Sequence, residues 1–589
     1  MKRRRMIAAG GAVCLAASVA VTAFAATEHW NDNSGKNAIS SQWNSYKNKW
    51  ETIKTDYEQL AMSPGKNATQ MNYAWYSRSA TDAAIRISRT PDMTTTDGSG
   101  ESNVYKGNYT EYKGTSASYK EIDGVLYYAN KVTVTDLKEN TTYYYQYLVD
   151  GVWSDTAHFT TGDTDSFSIM YVGDPQIGAS KGQVPAESDT AQTAEIAARN
   201  DAFSWNNTLT SAVAEHPEID WIISAGDQIN NTKDDNGQEV EYAGFLSAKA
   251  LSSLPIAPTI GNHDSLYANF QNHFNVANPY TQEEGATPAG NDYYYSYGDA
   301  LFITLNTNNY NVASHENAMK EAVASHPDAT WKVVTFHQDI YGSGKDHSDS
   351  DGIILRTQLT TLMDKYDIDV VLQGHDHTYS RSYMLTSDGQ QHTAYDNTAL
   401  SNATEEQLAE FASQNLCYNI VDKTQGTINN PEGVLYMEAN SSTGSKYYNL
   451  IATQQDYIAD RSQTWTPTYS VIDITKDSFT INTYDVNTGN KLDDTFTITK
   501  KDEAAKTVAV SKLKLNKSKL TLKKGKTATL KVTITPSNAT DKTVTFKSSK
   551  PSVASVTKSG KVTAKKKGSA TITVTSKNNK KATCKVTVK

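Results

Sequence analysis

Five short polar segments carry the residues whose types and spacing could do chemistry. They supply carboxylates, an amide and imidazoles, in the segments "GDPQIG" (Asp174), "GDQIN" (Asp227), "GNHD" (Asn262 and His263), "TFHQD" (His337) and "GHDH" (His375 and His377). Carboxylate and amide oxygens with neutral imidazoles suit ions such as Mn, Fe or Zn. Two such ions about 3.5–4 Å apart form a hydrolytic centre. The set therefore predicts a two-metal site in which one carboxylate bridges the ions.

Each segment directly follows an apolar run that is typical of a buried strand. The runs are "IMYVG", "WIISAG", "APTIG", "VVTF" and "VVLQG". In open α/β sheets functional groups cluster where strands end and loops begin, so neighbouring strands would deliver these side chains to one edge. Any one segment also fits an ordinary turn. The ordered series of five favours the metal site.

The elements that must position these residues belong to a central α/β region. Between residues 164 and 501, buried-type strand runs alternate with helical segments such as "DGIILRTQLTTLMDKY", and the end of the region returns to two-residue alternation. This pattern predicts mixed sheets flanked by helices. The late strands from "YSVIDITK" onwards should close the domain as antiparallel strands.

Three further segments surround this region. Residues 26–60 include a helical stretch with aromatic residues every three or four positions, which we expect to pack against the next domain. Residues 61–163 show short alternating strands, and "VTDLKENTTYYYQYLVDGVWSDTAHFTT" resembles a fibronectin type III domain, an all-β sandwich. Residues 509–589 resemble the bacterial Ig-like group 2 module, a second all-β sandwich, after a linker at 502–508.

Charge is distributed unevenly along the chain. The net charge is −9, yet residues 511–589 hold 21 lysines and a single acid, Asp541, which gives that part about +20. Such a tail could bind an anionic cell wall through charge, or it could be a soluble spacer. A nucleic-acid partner is not expected, because this region has one aromatic residue, Phe546, and no arginine.

The N-terminus is typical of an export signal. "MKRRR" is a basic segment, an Ala- and Gly-rich apolar stretch follows, and "AFA" (Ala23–Ala25) supplies a cleavage site, so residues 1–25 are predicted to be a signal peptide. The alternative is an uncleaved anchor helix. No later segment approaches about 20 apolar residues, so we expect no transmembrane segment after cleavage. The predicted location is extracellular, with cell-wall association as an option.

The ordered motifs resemble those of the calcineurin-like metallophosphoesterases. The preceding sandwich and the extended "GHDHTYSRSY" are similar to the purple acid phosphatase branch, and the resemblance covers about residues 60–500. It implies two metal ions of the Fe, Mn or Zn type, with the identity open. One ion would be held by Asp174, Asp227 and His377, and the other by Asp227, Asn262, His337 and His375.

The resemblance also implies a reaction. A metal-bound hydroxide would attack phosphorus in line, with both ions taking up charge on the phosphoryl oxygens. His263 would lie outside the coordination sphere, where it could stabilise that charge or protonate the departing alkoxide. The expected substrate is a phosphate ester.

Two positions depart from the family pattern. The purple enzymes place an iron-binding tyrosine three residues after the second aspartate, and here that position is Asn230, which predicts a colourless enzyme. Gln176 stands where other members carry the histidine of a D-x-H motif, and it could be a weak ligand or a hydrogen-bond partner. Asn230 is kept as a second candidate ligand.

Four neighbouring residues have open roles, and two further histidines are expected at the surface. Tyr267 and Tyr341 could line the site, His347 could contact substrate or be a solvated loop residue, and Arg381 could reach a phosphate or pair with an acid. His315 and His326 are predicted to lie at the surface. None of these six follows a strand run in the manner of the five segments.

The sequence thus favours a secreted dinuclear phosphoesterase that hydrolyses phosphate monoesters. A phosphodiesterase acting on nucleotides or cell-wall polymers is the alternative within the same chemistry, because both reactions use the same ligands. A surface adhesin with an inactive centre is the alternative from another class, suggested by the two accessory sandwiches. Against the adhesin, every expected ligand position is filled by a residue that can coordinate a metal.

Overall fold

The computed structural model describes residues 29–35, 40–93, 108–345, 347–348, 350–392, 404–500, 509–537 and 539–589. The chain divides into two compact units, residues 1–500 and residues 501–589. The predicted signal peptide and the predicted linker at 502–508 lie outside the described residues. Within the described ranges, no helix combines the length and the apolar character needed to cross a membrane.

The first unit begins with a helix, α1 (Ser41–Ile53), which is shorter than the predicted periodic stretch. The Ser40 side chain accepts a hydrogen bond from the Trp43 backbone N–H and caps the helix. Trp43 and Trp50 are its buried residues, and the Trp43 ring lies 5.0 Å from the Phe203 ring of the α/β region. The helix itself thus packs on the α/β region, while the predicted packing on the next domain is made by Tyr57 and Leu60, which follow the helix.

A strand-rich domain follows α1. It contains β1 (Ala61–Pro64), β2 (Met71–Ser77), β3 (Ala84–Ser88), β4 (Thr110–Lys113), β5 (Thr115–Ile122), β6 (Val125–Val134), β7 (Thr142–Val149), β8 (Val152–Trp153) and β9 (Ala157–Thr160). One sheet has the order β1-β2-β6-β5 and the other β4-β3-β7-β8, with β9 paired to β7. Alternate side chains such as Tyr73, Trp75, Ile85 and Phe159 form the core between them.

The central region is built on two seven-stranded mixed sheets. The first has the order β12-β11-β10-β23-β24-β25-β20. Its strands are β10 (Ser166–Val172), β11 (Ile219–Ser224), β12 (Ile256–Pro258), β20 (Thr427–Asn429), β23 (Thr468–Thr475), β24 (Ser478–Asp485) and β25 (Phe496–Thr499). The parallel strands β10, β11 and β12 lie beside the antiparallel strands β23 to β25, as the alternation of the late segment predicts.

The second sheet has the order β13-β14-β15-β16-β21-β17-β22. Its strands are β13 (Tyr293–Tyr297), β14 (Ala300–Thr304), β15 (Trp331–Thr335), β16 (Val370–Gln373), β17 (Tyr379–Ser382), β21 (Leu435–Glu438) and β22 (Ile458–Ser462). A separate pair is formed by β18 (Met384–Ser387) and β19 (Tyr418–Asp422). The core contains Ile169 and Trp221 from the first sheet with Phe302 and Val333 from the second, so the two sheets pack face to face.

Helices cover the outer faces of the two sheets. They are α2 (Ala194–Glu215), α3 (Asp235–Leu246), α4 (Asn269–His273), α5 (Val312–Ser325), α6 (Asp351–Lys365) and α7 (Glu405–Gln414), with a 3₁₀ helix at Lys249–Ser252. Trp205 of α2 packs with Met170 and Ile222, and Leu359 of α6 packs in a second cluster with Val334 and Val371. The predicted α/β sandwich of mixed sheets flanked by helices is confirmed.

The second unit is an all-β domain. Its strands are β26 (Lys512–Leu515), β27 (Lys519–Leu522), β28 (Thr527–Thr529), β29 (Val532–Thr535), β30 (Val544–Ser548), β31 (Ala554–Val556), β32 (Lys561–Ala564), β33 (Gly568–Ser576) and β34 (Lys581–Val588). Val562, Ile572 and Val586 belong to a core of its own. All 21 lysines of residues 511–589 are exposed, and those in strands such as β26 alternate with buried residues.

Candidate metal centre

The five polar segments meet where strands of the two sheets end. Asp174 follows β10, Asp227 follows β11, Asn262 follows β12, His337 follows β15 and His375 follows β16. Five of the candidate residues adopt left-handed backbone conformations, with φ of +36° at Asp174 and Gln176, +48° at Asp227 and His377, and +78° at His375. Such conformations are costly outside glycine and cluster at functional sites.

One group of donor atoms converges on the His337 imidazole. Its Nε2 atom lies 2.9 Å from Asn262 Oδ1, 3.5 Å from Asp227 Oδ1 and 3.0 Å from His375 Nδ1. Its Nδ1 atom lies 3.0 Å from the Ala225 carbonyl oxygen, so this nitrogen carries the proton and Nε2 presents a lone pair. Four donors around one point form a site that a single metal ion would fill.

Asp174 and His377 form a second group of candidate ligands, and Asp174 Oδ1 also lies 3.9 Å from His337 Nδ1. Asp174 Oδ1 is 3.5 Å from His377 Nε2, while Asp174 Oδ2 accepts a hydrogen bond of 2.8 Å from the His375 backbone N–H. The His377 Nδ1 atom is 2.8 Å from the Lys446 carbonyl oxygen, which leaves Nε2 with its lone pair toward Asp174.

The two carboxylate oxygens of Asp227 face different neighbours. Its Oδ1 atom accepts a hydrogen bond from the His263 backbone N–H at 2.9 Å and faces His337, whereas its Oδ2 atom faces Gln176 Nε2 at 3.4 Å. Burial alone raises the pKa of this carboxyl, but the His337 and His263 imidazoles outweigh burial and hold the pKa below its ordinary value. An ionised carboxylate at this position fits a bridging ligand.

The donor chemistry fits two divalent ions. Asp174 Oδ1 and Gln176 Oε1 are buried oxygens with no hydrogen-bond partner in the described part of the chain. Buried polar atoms are normally paired, so both are available to a cation. Among the residues that the structure describes, Asp227, His337 and His375 form one of three groups of acidic and imidazole donors close enough to share an ion.

Two glycines allow this close packing. A Cβ atom at Gly261 would lie 2.0 Å from Asp227 Oδ1, and one at Gly226 would lie 2.5 Å from His337 Nδ1. Gly226 also has φ of +114°, which disfavours other residues. These two glycines therefore allow the ends of neighbouring strands to approach each other closely.

His263 lies at the rim, where its side chain is 21% exposed. Its Nδ1 atom is 2.5 Å from the Asn230 carbonyl oxygen, and its Nε2 atom is 3.9 Å from Asp227 Oδ2. The Asn230 side chain itself donates to the Gly178 carbonyl oxygen over 3.4 Å. Asn230 thus contacts His263 through its backbone.

The residues with open roles divide into two sets. His347 lies against the centre, because its ring is 3.8 Å from the His375 ring, and Tyr267 is half-buried in the loop after His263. Tyr341 is buried in the core, with its hydroxyl 3.1 Å from Thr360 Oγ1. Arg381 donates to Asp493 over 2.6 Å, which is the pairing with an acid rather than with a phosphate.

The prediction that His315 lies at the surface is wrong. His315 is fully buried, with Nδ1 2.7 Å from Asp292 Oδ2 and Nε2 2.7 Å from the Asn309 carbonyl oxygen. Glu283, Asp292 and His315 form another of the three donor groups. The sequence gives no sign of this pairing, since Asp292 and His315 come from separate elements.

Sequence reasoning also missed the third donor group, Asp339, Asp376 and Glu438, which lies directly behind the ligand segments. Glu438 accepts hydrogen bonds from the Thr378 and Ser380 hydroxyls at 2.8 and 2.7 Å. Burial first, and then the charge of Asp339, raises the pKa of Asp376 and of Glu438 well above the ordinary range. Asp339 lies two residues after His337, and Asp376 lies between His375 and His377. This closeness to proposed ligands is the feature of the sequence that could have indicated the group.

Comparison with known proteins gives three family matches. Residues 57–161 match the purple acid phosphatase N-terminal domain, residues 167–379 match the calcineurin-like phosphoesterases, and residues 509–586 match the bacterial Ig-like domain of group 2. The matches follow the order of the strand-rich, α/β and second all-β domains described above. They confirm the family resemblance of the central region and of the C-terminal module.

Solved structures with related folds include the purple acid phosphatase PPD1 from yellow lupin, with a TM-score of 0.50 and 15% identity over 76% of this chain and 74% of that chain. A structure of PhoD gives a TM-score of 0.43 with 10% identity over 75% and 93% of the two chains. Among curated proteins, the kappa-carrageenase of Pseudoalteromonas carrageenovora is 49% identical over 74 residues, or 13% of this chain. That match spans about a fifth of the length of the carrageenase (19%).

Proposed function

Since residues 167–379 match the calcineurin-like phosphoesterases and residues 57–161 match the purple acid phosphatase N-terminal domain, we propose that this chain is a metal-dependent phosphoesterase that hydrolyses phosphate monoesters. The observation that supports the proposal is the convergence of Asn262 Oδ1, Asp227 Oδ1 and His375 Nδ1 on His337 Nε2, at 2.9, 3.5 and 3.0 Å. We further propose that Asp174 and His377 hold the second ion, with Asp227 as the bridge.

Two ions bound at these donors would supply Lewis-acid stabilisation of the phosphoryl oxygens and lower the pKa of water. The chain's own residues orient the reaction. A water oxygen attacks phosphorus opposite the ester oxygen, the P–O bond to the alkoxide breaks, and the alkoxide takes a proton. His263 would deliver that proton from Nε2 in its doubly protonated form, because its Nδ1–H group donates to the Asn230 carbonyl oxygen.

The half-buried His347 is the second rim residue that we assign to the substrate. Its ring contacts His375, and its Nε2 atom lies 3.2 Å from the Tyr448 hydroxyl. His263 and His347 thus lie on the same rim as the proposed ligands. A phosphoryl group on the ions would be within reach of both imidazoles, which fits binding of an anion.

The extracellular location is part of the proposal. It is supported by the export-like sequence of residues 1–25 and by the bacterial Ig-like domain at residues 509–586, a module typical of bacterial surface proteins. A phosphoesterase exposed in this way would act on esters outside the cell. The Lys-rich domain would hold it near an anionic wall.

Substitution of the proposed ligands tests the function. Asp227→Asn and His375→Ala should each lower kcat on p-nitrophenyl phosphate by at least about 10³-fold, since the site loses its bridge or an imidazole donor. The matched controls are Asp477→Asn and His158→Ala, which change exposed residues. Full activity in the ligand variants, with folding and metal content unchanged from wild type, would refute the assignment.

A further inference from the structure

The loop that follows β21 lies beside the proposed metal centre, although it contains none of the five motifs. Ser441 Oγ donates to the Asp174 carbonyl oxygen at 3.2 Å, and Thr443 Oγ1 donates to the Pro175 carbonyl oxygen at 2.8 Å. The Lys446 carbonyl oxygen receives the His377 Nδ1–H group. These contacts fix the backbone of residues 441–446 against two of the segments that carry proposed ligands.

The end of the same loop is fixed by one side chain. Gln463 Nε2 donates to both the Tyr448 and the His377 carbonyl oxygens, each at 2.8 Å. The Lys345 backbone N–H donates to the Asn449 carbonyl oxygen at 2.8 Å, which ties the loop to the segment that carries His347. The side chains of Lys446 and Tyr448 are therefore held at a defined place on the rim.

Tyr448 contacts two histidines of the site, His347 and His377. Its hydroxyl lies 3.2 Å from His347 Nε2, and its ring centroid lies 5.3 Å from that of His377. The Lys446 Nζ atom lies over the Tyr448 ring, 4.4 Å from its centroid. A lysine over an aromatic face keeps its charge while its position is restricted.

Lys446 and Tyr448 are both half-buried, so their polar ends border the rim. An ammonium, a phenol and two imidazoles together make a rim suited to an anion of high charge.

From this geometry we propose that Lys446 and Tyr448 form a specificity site that favours phosphate monoesters over diesters. The proposal rests on the proposed phosphoesterase function. A monoester phosphoryl group carries a charge of about −1.5 to −2 at pH 7, whereas a diester carries a single charge. The Lys446 ammonium would neutralise the additional charge, and the Tyr448 hydroxyl would donate to a phosphoryl oxygen.

The test compares two esters that share one leaving group, p-nitrophenyl phosphate and methyl p-nitrophenyl phosphate. Lys446→Met keeps the aliphatic stem over the Tyr448 ring and removes the charge. It should lower kcat/KM on the monoester by about tenfold or more, and on the diester by no more than about threefold. Lys446→Arg should stay within about threefold of wild type on both, because the charge is kept.

Tyr448→Phe isolates the hydroxyl, since the ring that supports Lys446 and His347 remains. We expect a loss of about three- to tenfold in kcat/KM on the monoester and a smaller loss on the diester. The matched control is Lys423→Met, because Lys423 Nζ lies 5.1 Å from the Tyr383 ring centroid in an equivalent lysine–tyrosine contact. It should leave both rates unchanged.

A binding measurement gives a second readout. The Kd of inorganic phosphate for the metal-loaded protein, measured by calorimetry, should rise by about tenfold in Lys446→Met and stay near wild type in Lys446→Arg. Equal losses on the two esters, or an unchanged phosphate Kd in Lys446→Met, would overturn the specificity site. Wild-type protein that binds phosphate but hydrolyses neither ester would instead refute the proposed function.

Discussion

Gln176 is the residue at which the site differs most from a histidine-rich metal centre. Its Nε2 atom faces Asp227 Oδ2 at 3.4 Å, while its Oε1 atom is buried without a hydrogen-bond partner in the described residues. A buried carbonyl oxygen that no donor satisfies is costly unless a cation takes it up. This favours the interpretation of Gln176 as a weak ligand over that of a hydrogen-bond partner alone.

Replacement of Gln176 separates these two interpretations. Gln176→Ala should weaken the binding of one of the two ions by roughly 10–100-fold, and Gln176→His should restore it, because an imidazole can coordinate from the same position. Metal stoichiometry by elemental analysis after dialysis against a graded chelator measures the effect. If Gln176→Ala retained both ions as tightly as wild type, Gln176 would be no more than a hydrogen-bond partner.

At the residue scale, motif spacing predicted the proposed ligands but not the side chains that surround them. Asp174, Asp227, Asn262, His337 and His375 each follow a strand, and the end of a strand is visible in a sequence. Lys446 and Glu438 reach the site through tertiary packing, which leaves no local pattern. His347 was visible only as a polar loop residue, and its contact with His375 depends on how that loop folds.

At the element scale, the strand–helix alternation was enough to predict two mixed sheets, but not the polar contacts between elements. Helix α5 shows this, because its His315 enters the interior to meet Asp292, which directly precedes β13. Both ring nitrogens face oxygen atoms, so both carry protons and the ring is an imidazolium. Burial alone lowers the pKa of His315, but Asp292 and the Asn309 carbonyl oxygen outweigh burial and raise it to about 9.

This raised pKa makes stability depend on pH. The ordinary value for histidine is about 6.5, so the contribution of His315 is fully present below that pH and is lost as the pH rises toward 9. His315→Gln should therefore lower the free energy of unfolding most at pH 6. The difference in free energy of unfolding between wild type and variant should be smaller at pH 10, by up to about 3 kcal/mol. Urea unfolding of both proteins across this range, followed by tryptophan fluorescence, measures the difference.

His158 is exposed, so His158→Gln is the control for that experiment. Its effect on the free energy of unfolding should not change with pH. Glu283 belongs to the same donor group, and burial with the Asp292 charge raises its pKa to about 7. Its own contribution is lost between about pH 4.5 and 7, so the upper part of the range reports mainly on His315. A cost of His315→Gln that is constant from pH 6 to 10 would show that the imidazolium does not stabilise the fold.

At the scale of the whole molecule, the two compact units have opposite charge. Residues 511–589 carry about +20 with all 21 lysines exposed, so the rest of the chain carries about −29. Seven of these lysines occupy outward positions of strands whose inward positions, such as Leu513 and Leu515, form the core, and the others lie in turns and loops. The charge therefore costs the fold of this unit little, and it discourages edge-to-edge association of the sheets.

This distribution predicts that binding and catalysis can be separated. A chain ending at Lys500 should keep the kcat/KM of the full chain on p-nitrophenyl phosphate, because the five motifs and their core lie within residues 1–500.

The full chain should sediment with purified anionic cell wall at low salt and lose about tenfold or more of that binding at high salt, since exposed charges are screened. Sedimentation with wall and with a neutral polysaccharide, at 0.05 and 0.5 M NaCl, compares the two proteins. Equal retention of both proteins on the wall, or retention of the full chain that does not respond to salt, would mean that the Lys-rich unit is a spacer rather than an anchor.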